Sequence, residues 1–523
     1  MDARVKPAMT RRGGLSSGLY RFRGRNYQKG ETGRVVGGWW VWLVTTMLFN
    51  SYAFIFLFLP IVVLGTFALG RLGHLVPVIW LALASLAFYG FGNWQFVPLL
   101  LASVAFNYAI GYLLIERKLQ PSARRAALIA GVGGDLVILG IFKYAGFFAA
   151  NLDAVFGTSL TVNILLPVGI SFYTFTQIAF LVDAFSGNVA RYALPHYALF
   201  VTYFPHLIAG PILHHRDMIP QFERAEIKRP NAHLILCGTI IFAIGLFKKT
   251  CLADGIQPLV SLAFGASAPL SFDHAWIGAL AYTFQLYFDF SGYSDMAIGI
   301  SLMFGVFLPL NFNSPYKAQS IVDFWRRWHM TLSKFLRDYL YIPLGGNRRG
   351  RVLRYVNLMV TMLLGGLWHG AAWTFVAWGA LHGIYLCINH AWNHLVPAPP
   401  PRFAPAAKLA AGTLTFVAVV VAWVFFRADS FASALTVLSG MANPATVILG
   451  RDEVANILLI AVYAAIVWFA PNTQTLMRYD HERRMVGAGE IELRPFPLYA
   501  AAAVLACGIL GIQQHSEFIY FRF

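Results

Sequence analysis

Asp323-Phe-Trp-Arg-Arg-Trp-His-Met-Thr-Leu-Ser-Lys-Phe-Leu-Arg-Asp-Tyr339 is followed, beyond a basic loop at Arg348, Arg349, Arg351 and Arg354, by an apolar run ending Gly365-Gly-Leu-Trp-His-Gly370. At 100° per residue, Trp325, Trp328, Leu332, Phe335, Leu336 and Tyr339 share one helical face. Arg326, Arg327, Lys334, Arg337 and Asp338 share the other, with Met330 the exception. A basic face opposite a Trp/Phe/Leu face predicts a helix lying in the membrane–water boundary, with His329 at the edge of the apolar side. His369 closes the next apolar run, 14 residues and about 21 Å beyond Tyr355 if helical, inside a hydrocarbon core of about 30 Å. Two imidazoles thus sit where water is scarce. Membranes rarely retain such groups without a use.

Outward from this stretch the chain keeps the same solvent. Of its 523 residues 58% are hydrophobic and 12% charged, with mean hydropathy +0.61. Soluble domains carry about 25% charged residues, so the reading is an all-α polytopic integral membrane protein. Apolar runs fall at 51–69, 75–91, 96–115, 126–150, 164–181, 198–213 and 234–247, then at 275–288, 293–310, 355–368, 371–388, 409–426, 454–469 and 499–512. Several are shorter than a full crossing needs, which predicts re-entrant or broken helices and about a dozen spans in all. The net charge of +17 gathers between the runs, at Arg117/Lys118, Arg124/Arg125, Lys248/Lys249 and Arg348 to Arg354. Basic loops mark the cytoplasmic side of a membrane protein, and no basic soluble domain is present to bind nucleic acid. Cys237, Cys251, Cys387 and Cys507 show neither disulfide nor zinc spacing, and no metal site is expected at His206, His214 and His215.

Residues 1–34 hold nine Lys/Arg and two acids without apolar periodicity. The expectation is that translation starts near Met47, leaving 1–46 as an untranslated or disordered basic extension and 47–523 as a single transmembrane domain. Asp135 and Lys143 interrupt the fourth apolar run; eight residues apart they could pair, but such a spacing more often means two charges snorkelling or facing a groove. Leu166-Pro-Val-Gly-Ile-Ser-Phe-Tyr173 and Tyr203-Phe-Pro-His-Leu-Ile-Ala-Gly-Pro211 place helix breakers inside apolar segments. Phe288-Asp-Phe-Ser-Gly-Tyr-Ser-Asp295 reads as a further break, with Ser291 as N-cap, and equally as a pocket wall. A proline cluster at 397–405 marks a connector, and no internal repeat supports an inverted-repeat transporter.

Histidine titrates nearest neutrality and serves as a general base without a large shift. Gly365, Gly366 and Gly370 let a ligand or backbone approach His369, and Trp368 offers a wall. On the residues alone each histidine reads either as a functional group or as a neutral imidazole buried in a helix break, and the expected substrate-contacting set around His369 and His329 is Trp368, Asp289, Tyr293, Asp295, Trp325 and Trp328.

Arg326-Arg-Trp-His-Met-Thr-Leu-Ser333 and Gly366-Leu-Trp-His-Gly370 resemble the two histidine segments of the membrane-bound O-acyltransferases. Leu166–Tyr173, Phe288–Asp295, Asn311-Phe-Asn-Ser-Pro315, the 518–523 ending and Met47-Leu-Phe-Asn-Ser51 resemble the alginate O-acetyltransferase branch. The resemblance implies a ring of transmembrane and re-entrant helices around a thin central core, with a funnel from each side. It implies that His369 is catalytic with His329 as companion, in the cell inner membrane. The donor would be acetyl-CoA or another acyl thioester, with no bound cofactor. A periplasmic acetyltransferase partner would pass the acetyl group to an exopolysaccharide such as alginate. Two alternatives stay open: acylation of another envelope polymer (teichoic acid, peptidoglycan or cellulose), and a transporter that performs no chemistry.

Overall fold

Long runs of Leu, Ile, Val, Ala and Phe leave the helix as the form in which an open chain crosses lipid, since each backbone N–H and C=O then bonds within its own segment. The computed structural model describes residues 47–116, 119–160, 162, 164–266, 268–397, 399–487, 495–512 and 519. Among these, regular structure is helical apart from one isolated bridge between Asp480 and Met485. The expected basic extension at 1–46 lies outside the described residues, as does the 518–523 ending except Ile519. The described residues belong to one compact unit, Thr45–Phe523.

The principal helices of the first half are α1 (Phe54–Leu72), α2 (Val76–Asn93), α3 (Val97–Glu116), α4 (Pro121–Phe156), α5 (Ile170–Ser186), α6 (Leu194–Thr202), α7 (His215–Phe222), α8 (Ala232–Phe264) and α9 (Phe272–Met303). Those of the second half are α10 (Ile321–Arg327), α11 (Met330–Leu336), α12 (Arg351–His369), α13 (Trp373–Leu395), α14 (Ala404–Arg427), α15 (Phe431–Ala442), α16 (Arg451–Phe469) and α17 (Pro495–Leu510). Their starts carry local signals: Asn231, Ser320 and Ser430 each accept a backbone N–H as N-caps.

Among the described residues six segments are long and apolar enough to cross a membrane: α1, the α2–α3 run, α4, α8, α14 and α16. That is fewer than the about a dozen spans expected from sequence. The difference lies in helices such as α9, α12 and α13, which have the length but carry polar residues, and in α5 and α15, which are apolar but shorter.

The centre is α9. Every residue from 281 to 303 is buried, and α8, α14, α15 and α16 pack around it. The sequence expectation of a break at Phe288–Asp295 is corrected here: α9 runs unbroken for 32 residues and Ser291 caps nothing. The two carboxylates that suggested a break are paired from α8 instead. Lys249 Nζ lies 2.7 Å from Asp289 Oδ1, and Lys248 Nζ lies 2.6 Å from Asp295 Oδ2. With its two charges paired, the helix has no electrostatic reason to open.

At Leu166–Tyr173 the expected break is real. Gly169 takes φ +75° and α5 begins at the next residue. A Cβ at Gly169 would also stand 2.6 Å from the Leu207 carbonyl oxygen, so only glycine fits both the backbone angle and the space.

Candidate active site

The amphipathic stretch partitions as its periodicity predicts. Trp325, Trp328, Leu332, Phe335 and Leu336 are buried, while Arg326, Lys334 and Arg337 are exposed. It is not one interfacial helix. The chain breaks between α10 and α11, where Trp328 is extended and His329 takes φ +42°, ψ +54°. A left-handed non-glycine residue costs about 1–3 kcal/mol and persists only where its surroundings enforce it. Here the enforcing segment is Asn311–Asn313. The Asn313 N–H donates to the Arg327 carbonyl (2.9 Å), and the Met330 N–H donates to the Asn311 carbonyl (2.9 Å). The buried face meets protein rather than lipid: Trp325 lies 5.9 Å from Trp378, and Trp328 lies 4.9 Å from Trp423.

The break moves His329 from the edge of the apolar face to full burial. Its Nδ1 lies 3.0 Å from Asn311 Oδ1, which also accepts from the Thr331 hydroxyl (2.9 Å) and the Thr331 N–H (3.4 Å). The backbone N–H can only donate, so the Asn311 atom facing this group is its oxygen and His329 Nδ1 carries the proton. Nε2 is then the ring's basic nitrogen.

His369 is the last residue of α12, and its ring centre lies 6.3 Å from that of His329. Its position depends on Gly366, one turn earlier. A Cβ there would stand 2.3 Å from the Phe375 carbonyl oxygen, so glycine lets α13 lie against α12. His369 is enclosed by aromatic rings: Trp368 at 4.9 Å, Trp378 at 5.1 Å and Phe426 at 5.2 Å. Trp368 is in turn stacked on Phe175 at 5.1 Å. Both His369 and Trp368 line a cavity of about 230 Å³ whose far wall is the 165–170 segment before α5. Leu165 at that end is 66% exposed, so the cavity connects the buried histidine with the surface.

The remaining residues singled out from sequence are placed as follows. Trp325 and Trp328 pack behind the histidines. Asp289 and Asp295 spend their carboxylates on Lys249 and on Lys248 and Thr473, and Asp289 also accepts the Ile519 N–H at 3.2 Å. Tyr293 stacks on Phe49 at 4.7 Å. None of these three lines the cavity beside His369. Asp135 and Lys143 are not partners: Asp135 accepts from Asn107 (2.7 Å), while Lys143 reaches the end of α12. His215 bonds Asp183 at 3.0 Å, Tyr339 donates to the same carboxylate at 3.0 Å, and His206 bonds the Phe200 carbonyl at 2.9 Å.

Two residues near the site were not singled out for it from sequence. Lys143 lines the cavity directly beside His369. It was legible as an intramembrane charge, but a separation of 226 residues hides its partner. His382, fully buried on α13, packs 4.8 Å from Trp378 and 5.1 Å from Trp325. Its Leu-His-Gly context carries little signal by itself.

The profile of the membrane-bound O-acyltransferase family matches residues 175–432, which contain both histidines. A peptidoglycan O-acetyltransferase of Helicobacter pylori is 46% identical over 427 residues, covering 76% of this chain and 80% of that protein. A probable alginate O-acetylase of Azotobacter vinelandii is 45% identical over 392 residues, covering 73% of this chain and 76% of its own. A teichoic acid D-alanyltransferase of Streptococcus thermophilus is 30% identical over 255 residues, covering 45% of this chain and 59% of its own. Membership makes the protein an enzyme rather than a carrier without chemistry. The chain belongs to the membrane-bound O-acyltransferase family.

Proposed function

We propose that this protein moves an acetyl group from a cytoplasmic thioester, acetyl-CoA or a close relative, through the inner membrane for O-acetylation of an envelope polymer, with an exopolysaccharide such as alginate as the first candidate acceptor. The observation that carries the reading is His369 in the wall of a cavity within a helical membrane protein, with a second buried imidazole, His329, 6.3 Å away between ring centres. His369 acts as general base. It takes the proton of the attacking hydroxyl as the new C–O bond forms at the thioester carbonyl. The tetrahedral oxyanion then collapses, the C–S bond breaks, and the imidazolium returns its proton to the departing thiolate. Such help contributes about 10²–10⁴ in rate.

His329 offers Nε2 as an acceptor, because its N–H is committed to Asn311. It therefore suits the orientation of a hydroxyl or thiol better than donation to the oxyanion. Trp368 supplies an apolar wall that keeps water from the thioester, and Trp325 and Trp328 pack behind the histidines.

Two basic ends support the sidedness. His369 stands about 27 Å along α12 from Arg351, and Lys143 about 29 Å along α4 from Arg124. Basic loops are cytoplasmic, so the cavity belongs to the opposite face and suits the acceptor hydroxyl, carried by a periplasmic acetyltransferase partner or by the polymer itself.

Peptidoglycan is the second acceptor, favoured by the 46% identity to the Helicobacter pylori protein. The test is the acetyl content of alginate-type polymer and of peptidoglycan from a strain lacking the gene, restored with wild-type protein or His369→Ala. Restoration by wild type alone, on one polymer, supports the reading and names the acceptor. Equal restoration by His369→Ala overturns it.

A further inference from the structure

We propose that Lys143, seconded by Tyr144, is a positioning residue for the transfer: the two side chains clamp the last turn of α12 and hold His369 toward the cavity. This rests on His369 being the base. The final carbonyls of any helix lack partners within it, and in a water-poor interior each must find one elsewhere. At the end of α12 the Gly366 carbonyl takes the Gly370 N–H at 3.4 Å. The next three are served from α4. The Tyr144 hydroxyl donates to the Leu367 carbonyl at 2.9 Å, and Lys143 Nζ donates to the Trp368 carbonyl and, at 3.2 Å, to the His369 carbonyl. Gly370 is extended (φ −156°), so the chain does not close its own helix end in the usual left-handed glycine turn.

Lys143 and Tyr144 leave α4 where it departs locally from α-helical geometry. Gly140–Tyr144 is a π turn, a form that gathers at functional sites. The Lys143 ammonium is also within 3.3 Å of Ser171 Oγ on α5 and 5.7 Å from the centre of the Trp368 ring. It therefore joins three elements at the cavity wall. No Asp or Glu lines that cavity, so Lys143 Nζ is met there by helix-end carbonyls and a hydroxyl rather than by an acid. A lysine buried without a carboxylate partner is costly, and its place under the backbone of His369 is what it secures.

The test uses full-length protein in inverted membrane vesicles, with radiolabelled acetyl-CoA as donor and polymer-bound acetyl as readout. Lys143→Met is expected to lower kcat about 10- to 100-fold, the scale of a reacting group displaced by a fraction of an ångström to 1 Å, with KM for acetyl-CoA nearly unchanged. Lys143→Arg, which keeps charge and donors, is expected to recover most of kcat. Tyr144→Phe costs several-fold in kcat, and the double variant falls little below Lys143→Met, because both side chains serve one turn.

Wild-type kcat in Lys143→Met, a rise in KM at constant kcat, or failure of Lys143→Arg to recover activity at equal abundance overturns the clamp. If Lys143→Met does not accumulate, Lys143→Arg and Tyr144→Phe carry the test on the same kcat and KM criteria. His369→Gln runs alongside. Its activity at wild-type level refutes the base assignment itself, whereas a silent His369→Gln beside a fully active Lys143→Met refutes only the clamp.

Discussion

Gly366→Ala tests how tightly the position of His369 is coupled to helix packing. The added methyl would stand 2.3 Å from the Phe375 carbonyl oxygen, 3.1 Å from Gly379 Cα and 3.2 Å from the Gly379 nitrogen. These are backbone atoms of α13, so no side-chain rotation relieves the contact. Bringing the first distance to ordinary contact at 3.4 Å requires α12 and α13 to separate by about 1 Å, three residues before His369. Overpacking of this kind costs about 1–3 kcal/mol of stability. The functional cost is larger, because a 1 Å misplacement of a reacting group removes about 10² in rate. The assay is initial-rate acetyl transfer in vesicles, normalised to protein abundance by immunoblot, with thermal unfolding in detergent alongside. Gly133→Ala is the control. It lies in α4 with nothing within 4 Å of its built Cβ, and glycine-to-alanine in a helix interior is neutral or stabilising by up to about 1 kcal/mol. If Gly366→Ala transfers acetyl at the wild-type rate, the packing argument for His369 is refuted.

Three further outcomes follow from other contacts. Asn311→Leu removes the acceptor shared by His329 Nδ1, the Thr331 hydroxyl and the Thr331 N–H, at about 1–3 kcal/mol for each donor left unpaired. Its melting temperature in detergent should drop and kcat should fall more than KM rises; unchanged kcat would show that the orientation of His329 is immaterial. Asp295→Ala leaves Lys248 with only the Thr473 hydroxyl as partner and should cost about 3–5 kcal/mol, seen as lost membrane abundance, whereas Lys248→Met/Asp295→Leu together should recover most of it. Recovery of abundance without activity would show that Asp295 meets substrate as well as Lys248. Gly169→Ala forces a left-handed alanine at about 1–2 kcal/mol and drives its Cβ against the Leu207 carbonyl, so an unaltered melting temperature would contradict the turn geometry.

How far the chain could be read before folding differs from residue to residue. The burial of Trp325, Trp328, Leu332 and Phe335 and the exposure of Arg326 and Lys334 follow from local periodicity, because a helix face is a short-range property. The break at His329 does not. It is imposed by backbone bonds from Asn311 and Asn313, and no propensity within the helix announces it. The Phe288–Asp295 segment misleads in the opposite sense. Its polar residues suggest a break, yet Lys248 and Lys249, far away in sequence, neutralise the carboxylates and the helix continues. The histidine pair was legible as two groups too costly to bury idly. The support of His369 by Lys143 and Tyr144 was not, because it spans more than 220 residues and starts from a π turn.

The central claim, that His369 takes a proton during acyl transfer inside the membrane, is tested most directly by single-turnover transfer from radiolabelled acetyl-CoA. Wild-type protein and His369→Gln would be compared at matched abundance and equal melting temperature. The account predicts that the variant loses about 10²–10⁴ in the transfer rate while acetyl-CoA binding stays within a few-fold of wild type. Transfer by His369→Gln at close to the wild-type rate would contradict it.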